Sequence, residues 1–142
     1  MLVINTDGAC FGNPGPMGAG ATVYKGNRKI AEICEYLGSG TNNIAEYSAA
    51  LRALEFAKSL GETEVEIRSD SQLLIRQLKG EYKVKAPHLK ELHSKILDIS
   101  KGMKITYKWV RREHNQDADL LSKAAIEKRG SGQLHSSLRS AP

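Results

Sequence analysis

The chain opens with two short apolar runs joined by a turn that is dense in Gly, Pro and Asn. The first run covers residues 2–8 and the second about residues 19–25. Apolar runs of this length, bounded by turn residues, predict two strands and their connection. The pair Gly26-Asn27 is a strong hairpin signal, so residues 28–37 are predicted to add a third strand. We therefore expect the fold to begin as a three-stranded antiparallel meander.

The rest of the chain alternates helical and strand patterns. A loop at residues 38–43 is predicted to precede a helix that ends near Leu60. The later elements are a strand at 64–68, helices at 72–78 and 87–100, a strand at 104–110 and a final helix capped by Asn115. Antiparallel strands followed by βαβ crossovers predict an α/β fold, with a mixed five-stranded sheet and helices on both faces.

Length and composition are those of one globular domain. The chain has 142 residues, of which 40% are hydrophobic and 26% are charged, and no apolar run approaches a membrane span. Since Leu2 already begins a predicted strand, we expect no signal peptide. Cys10 and Cys34 lack CxxC spacing and favour free thiols in a reducing compartment, so we expect a cytoplasmic protein. The domain is predicted at residues 1–129, and the Ser/Gly-rich residues 130–142 are predicted to be a disordered tail.

Positive charge is concentrated in the second half of the chain. The net charge is +5, yet eleven Lys/Arg stand against four Asp/Glu between Gln72 and His114. An excess of positive charge often reflects only a solvent-exposed surface without a binding role. A basic region beside an acidic centre is what a metal-dependent enzyme acting on a polyanion needs.

Four acidic residues each stand at the end or first turn of a separate predicted element: Asp7, Glu46, Asp70 and Asp119. Any one of them could simply cap a turn or a helix. Glu46, however, begins a helix face of small residues, so its side chain is predicted to point towards the sheet. Strand C-termini and helix N-termini share one edge of a βαβ sheet. Four carboxylates gathered there favour Mg²⁺ or Mn²⁺, which predicts a metal-dependent nuclease.

Short motifs along residues 2 to about 128 resemble the ribonuclease H type 1 family, in its short archaeal-like or bacterial form. They are Asp7-Gly8, Asn13-Pro14-Gly15, Thr41-Asn42-Asn43, Ser69-Asp70-Ser71 and Ala118-Asp119. The resemblance implies a ribonuclease H-like fold and endonucleolytic cleavage of the RNA strand of RNA–DNA hybrids. The implied products carry 5′-phosphate and 3′-hydroxyl ends. The four acids would be the catalytic metal ligands for two Mg²⁺ ions, with Mn²⁺ as an alternative.

The resemblance also implies substrate contacts. Asn13, Asn42 and Asn43 lie where members of the family contact the minor groove of the hybrid, and Thr41 lies where a DNA-strand phosphate is held. Amide groups can recognise 2′-hydroxyls, which only the RNA strand carries.

Two residues are candidates for assisting turnover. The loop before the last acid is short, as in archaeal-like members, and this favours Arg112. His114 is an alternative general acid, although it could equally be an exposed loop histidine.

The chain departs from many bacterial members because only Lys79–Lys90 occupies the place of their Trp-rich basic protrusion. Tyr107 and Trp109 are predicted to pack on the sheet, since they alternate with polar residues. The expected partner is an RNA–DNA hybrid, bound by a monomer away from membranes. Activity on double-stranded RNA is an alternative, and so is a non-catalytic hybrid-binding module, although such a module would normally have lost one of the acids.

Overall fold

The computed structural model describes residues 1–129. The tail predicted at residues 130–142 lies outside the described residues. The described chain begins as the predicted meander, in which each strand pairs antiparallel with the next. Its strands are β1 (Leu2–Cys10), β2 (Gly15–Lys25) and β3 (Arg28–Gly40).

Helices and strands alternate after the meander. The remaining elements are α1 (Asn42–Ser59), β4 (Glu64–Ser69), α2 (Gln72–Leu78), α3 (Pro87–Ile99), β5 (Lys104–Trp109) and α4 (Gln116–Glu127). β4 pairs parallel with both β1 and β5, which gives one sheet in the order β3-β2-β1-β4-β5. The prediction of a mixed five-stranded sheet is confirmed.

α1 and α4 cover opposite faces of the sheet and lie unusually close to it. A Cβ atom added at Gly8 would overlap the backbone of Ala45 in α1, and one at Gly20 would overlap the carbonyl of Ala118 in α4. Only glycine permits such close approach of two backbones. The main core lies under α1, where Leu54 and the strand residues Ile4 and Ile67 are fully buried. Among residues 1–129, no helix is both long and apolar enough to cross a membrane.

Several details differ from the sequence-based expectations. β1 continues to Cys10 and β2 already begins at Gly15, within the predicted turn, because Ala9 and Cys10 pair with Gly18 and Met17. Residues 38–40, predicted as loop, continue β3, because Gly15 pairs with Gly40 and extends the ladder. Thr41 then caps α1 by accepting a 3.3 Å hydrogen bond from the Ile44 amide. Asn115 does occupy the N-cap position of α4, but its side chain makes no capping bond there. It is 2% exposed and donates instead to the Thr6 carbonyl at 2.9 Å.

Candidate active site

One cavity of about 390 Å³ contains all four predicted acids among its lining residues. Asp7 lies towards the C-terminal end of β1, and Asp70 directly follows β4. Glu46 lies near the start of α1, and Asp119 lies in the first turn of α4. Because β1 and β4 are parallel, their C-terminal ends meet at one edge of the sheet, where both helix N-termini also lie. The topology thus brings together residues that are far apart in sequence.

Three of these carboxylates form a tight cluster. Asp7, Glu46 and Asp70 each offer an oxygen atom, and these atoms lie within 4.8 Å of one another. The Gly8 amide donates a 2.6 Å hydrogen bond to Glu46 Oε1, so the close approach of α1 to β1 also fixes the direction of this carboxylate. The inward orientation predicted for Glu46 is therefore present in the fold.

The cluster carries unusual acid–base properties. Burial, reinforced by the charge of Glu46, raises the pKa of Asp7 to about 10. Burial likewise raises the pKa of Glu46 to about 7, although the Gly8 amide opposes the shift. The pKa of Asp70 is also raised by burial, against the opposing charge of Arg112. Within residues 1–129, none of these three carboxylates forms an ion pair.

This donor set fits a hard divalent cation. The three clustered groups supply only oxygen atoms, which is the ligand type that Mg²⁺ and Mn²⁺ prefer. Carboxylates that repel one another gain most from an ion that neutralises them all. Asp7, Glu46 and Asp70 are therefore the residues that could hold such an ion.

Asp119 differs from the other three acids. Burial alone would raise its pKa, but a hydrogen bond from Asp7 and the nearby ammonium of Lys123 together lower it. Lys123 Nζ lies 3.0 Å from Asp119 Oδ2. In the metal-free protein the charged form of Asp119 is therefore favoured, whereas the charged form of Asp7 is disfavoured.

The candidate substrate-binding residues lie beside the acids, where the β1–β2 loop meets the start of α1. Asn13 Oδ1 accepts a 3.1 Å hydrogen bond from the Asn42 amide and so ties the loop to the helix. Asn42 lines the acidic cavity, and the side chains of Asn42 and Asn43 are exposed. Thr41 is partly buried in its capping role. The structure thus brings these four predicted residues together.

The two candidates for assisting turnover are separated. Arg112 lines the acidic cavity. His114 is exposed and lines a different cavity of about 240 Å³, together with Asn5 and Thr22. Its position in the acidic cavity makes Arg112 the better candidate of the two for assisting turnover.

Several side chains that the sequence analysis did not assign also lie at this edge. Phe11 and Lys123 line the acidic cavity. Trp109, predicted only to pack on the sheet, is 41% exposed and donates from Nε1 to the Asp70 carbonyl at 3.1 Å. Thr6 Oγ1 donates to the Arg68 carbonyl at 3.1 Å and joins the ends of β1 and β4. Lys123 alone had a sequence signal, since it stands four residues after Asp119 and so on the same side of the helix.

Comparison with known proteins agrees with this geometry. A family profile described as reverse transcriptase-like matches residues 5–125. Ribonuclease H of Prosthecochloris aestuarii is 34% identical over 142 residues, which cover 89% of this chain and 95% of that protein. A bifunctional protein of Mycobacterium tuberculosis is 39% identical over 129 residues, which cover 89% of this chain. The chain spans only 35% of the length of that relative.

Solved structures share the fold as well. LC11 ribonuclease H1, crystallised in complex with an RNA/DNA hybrid, is 41% identical and superposes with a TM-score of 0.86. The match covers 90% of this chain and 98% of that one. Matches of this length and identity extend well beyond the acidic cluster and include the sheet order and both covering helices. The chain belongs to the ribonuclease H family, in its type 1 branch.

Proposed function

We propose that this protein hydrolyses the RNA strand of RNA–DNA hybrids by internal cleavage, leaving 5′-phosphate and 3′-hydroxyl ends. The observation that carries the proposal is the group of three carboxylates whose oxygen atoms lie within 4.8 Å of one another. The group lies in an open cavity next to the loop that bears Asn13. The complex of LC11 ribonuclease H1 with an RNA/DNA hybrid supports the same substrate class.

The chemistry follows from the donor set. Asp7, Glu46, Asp70 and Asp119 would hold two Mg²⁺ ions, or Mn²⁺ as an alternative. When bound, such ions activate a water molecule and stabilise the leaving oxygen of a phosphodiester. The protein contributes a rigid arrangement of ligands, because each acid is held by a different strand or helix end. Arg112, in the same cavity, supplies positive charge beside the reacting phosphate.

Recognition of the hybrid would use the neighbouring asparagines. Asn42 and Asn43 present exposed amide groups at the start of α1, which can hydrogen-bond to ribose 2′-hydroxyls in a minor groove. Asn13 and Thr41 fix the loop and the helix end on which these groups stand. This arrangement favours a strand that carries 2′-hydroxyls, and Thr41 is the candidate for a DNA-strand phosphate.

The test is cleavage of an end-labelled RNA–DNA hybrid by the purified protein in Mg²⁺, with a parallel reaction in Mn²⁺. Matched reactions contain EDTA, the same RNA paired with RNA, and the Asp70→Asn variant. We expect metal-dependent cutting of the RNA strand at internal positions, and none by Asp70→Asn. The product ends are identified by whether a phosphatase or a 3′-end ligation reaction accepts them.

Other outcomes are equally informative. Cutting of the RNA duplex at a comparable rate would retain the chemistry and broaden the substrate class. Tight hybrid binding without cutting in either metal would replace the proposal with a binding module. Full activity of Asp70→Asn would reject the assignment of the metal ligands.

We further propose that the protein acts as a cytoplasmic monomer. Both Cys10 and Cys34 are free thiols, which suits a reducing compartment. Sedimentation at micromolar concentration gives the mass in solution, and a dimer would reject this part of the proposal.

A further inference from the structure

Lys123 lies inside the acidic cavity although no role in the reaction requires it there. Its Nζ atom lies 3.0 Å from Asp119 Oδ2, and its side chain lines the same 390 Å³ cavity as the four acids. The carboxylate that is expected to complete a metal site is therefore already paired with a cation of the protein itself.

An ordinary helix-surface ion pair is the simplest alternative explanation. The chain contains such a pair for comparison, because Lys95 stands four residues after Glu91 on α3 with an N···O distance of 3.7 Å. Neither residue lines the acidic cavity. The Asp119–Lys123 pair differs in location, since Asp119 is a candidate ligand and the cavity concentrates negative charge.

We propose that Lys123 is an exchangeable counter-ion, which neutralises Asp119 in the metal-free protein and contacts a backbone phosphate of the bound nucleic acid once a divalent ion takes Asp119. This inference rests on the proposed function, because it assigns a second role within the same site. The Lys123 side chain is 50% exposed, so its ammonium can move without disturbing the core. A lysine ammonium is a compact charge on a flexible stem and can bind phosphate without fixed geometry.

The two roles predict effects of opposite sign. Removing the Lys123 charge should strengthen metal binding, because the ion no longer competes with an ammonium for Asp119 and no longer meets its repulsion. The same change should weaken hybrid binding, because one phosphate contact is lost. A residue that only stabilised α4 would change neither affinity in this selective way.

Metal binding is tested without nucleic acid. Mn²⁺ is titrated calorimetrically into the wild type, Lys123→Met and the matched control Lys95→Met, at equal pH and ionic strength. We expect Lys123→Met to bind Mn²⁺ about three- to tenfold more tightly, from the loss of one nearby positive charge. Lys95→Met should match the wild type. Equal affinity in all three proteins would overturn the proposal, and Lys123→Gln repeats the test if the Met variant folds poorly.

Hybrid binding is tested by its salt dependence, in Ca²⁺ with the hybrid verified as intact, and again in EDTA. In Ca²⁺, Lys123→Met should lower the slope of log affinity against log salt by about 0.9, the value of one phosphate contact. In EDTA the slope should stay at the wild-type value, because Lys123 is then engaged by Asp119. Lys123→Arg should restore the slope in Ca²⁺. An equal loss in both conditions would reject the exchange.

The proposed function and the proposed role of Lys123 can be rejected independently of each other. If the wild-type protein cuts no hybrid but Lys123→Met still binds Mn²⁺ more tightly, the proposed cleavage reaction is wrong. The competition between Lys123 and the metal ion for Asp119 then still holds. If the wild-type protein cuts the hybrid and Lys123→Met changes neither affinity, only the role of Lys123 is rejected.

Discussion

The indole Nε1 of Trp109 donates a 3.1 Å hydrogen bond to the backbone carbonyl of Asp70. Trp109 is the last residue of β5, and its backbone partner in the ladder is Ser69, the last residue of β4. The strand ladder therefore stops one residue before the acid, and this side chain continues the connection. Trp109 positions Asp70 without lining the acidic cavity itself.

Trp109→Phe keeps an aromatic ring and removes only the donor. We expect kcat for hybrid cleavage to fall about fivefold, the equivalent of one net hydrogen bond of about 1 kcal/mol. KM for the hybrid should stay close to the wild-type value, because Trp109 is assigned no substrate contact. Tyr107→Phe, which changes an aromatic residue two positions earlier in the same strand, is the control. A fall in KM or kcat of the same size in both variants would indicate a general effect of β5.

Asp7→Asn should stabilise the metal-free protein while abolishing cleavage. Asp7 is 6% exposed and its charge is disfavoured by burial and by Glu46. The amide has the same shape and no charge, so we expect the free energy of unfolding near pH 8 to rise by about 2 kcal/mol. Chemical denaturation in EDTA measures the change. A loss of stability would contradict the cost assigned here to burying the Asp7 carboxylate.

The raised pKa of Asp7 also predicts how the stability of the metal-free protein depends on pH. The folded-state pKa of Asp7 is raised from 3.8 to about 10, so the folded protein binds this proton more tightly than the unfolded chain does. Its contribution to stability is complete below pH 3.8 and is lost as the pH rises towards 10. Denaturation of the metal-free protein should show stability falling between about pH 5 and 9, and Asp7→Asn should show a flatter curve. Equal slopes of stability against pH in the wild type and in Asp7→Asn would contradict the raised pKa of Asp7.

The affinity for metal should rise with pH, whereas the stability falls. A divalent ion must displace protons from carboxyl groups whose pKa is raised. Calorimetry of Mn²⁺ binding in two buffers of different ionisation enthalpy counts the protons released. We expect affinity to increase as the pH rises through about 7, the value for Glu46. Proton release of zero at neutral pH would contradict the raised pKa values of Asp7 and Glu46.

Arg112 and His114 should differ sharply in their effect on turnover. Arg112 lines the acidic cavity and opposes the raised pKa of Asp70, whereas His114 lines another cavity. We expect Arg112→Met to lower kcat about ten- to a hundredfold, through loss of positive charge beside the reacting phosphate. His114→Ala should stay within about twofold of the wild type, as is usual for an exposed residue away from the chemistry. The reverse pattern would assign proton transfer to His114.

Gly8→Ala should disrupt the site through the backbone. The new Cβ would overlap the backbone of Ala45 and Glu46, so α1 would have to move away from β1. We expect a loss of about 1–3 kcal/mol in stability, as for overpacked cores, with weaker Mn²⁺ binding. Gly40→Ala is the control, because its nearest contacts would be side-chain atoms of Met17 and Ile44 and not the backbone of a helix. Unchanged Mn²⁺ affinity in Gly8→Ala would separate the helix position from the metal site.

Much of this architecture could be predicted from local patterns. Alternation and turn residues indicate the meander, and acids at strand ends indicate a common edge, because parallel strands end together. The extension of β3 through Gly40 could not be predicted in this way. Backbone hydrogen bonds between glycine-rich segments leave no side-chain pattern, so the pairing of Gly15 with Gly40 has no signature in the sequence.

The hydrogen-bond partners of individual side chains could not be predicted from the sequence either. An Asn before a helix normally caps it, but the tertiary acceptor at Thr6 takes the Asn115 side chain instead. Alternation places Trp109 on one face of β5 but says nothing of which carbonyl its indole reaches. Such contacts depend on the separation of two strands and on rotamers, which emerge only from the assembled fold.

α4 is the last described element, and it brings Asp119 and Lys123 to the site, with Asn115 just before it. During translation, every strand of the sheet leaves the ribosome before this helix does. Until then the nascent chain has Asp7, Glu46 and Asp70 but lacks Asp119, and no helix packs against Gly18 and Gly20 of β2. Synthesis of α4 is therefore the step that adds the fourth candidate ligand to the site, and chains stalled before residue 116 should not cleave an RNA–DNA hybrid.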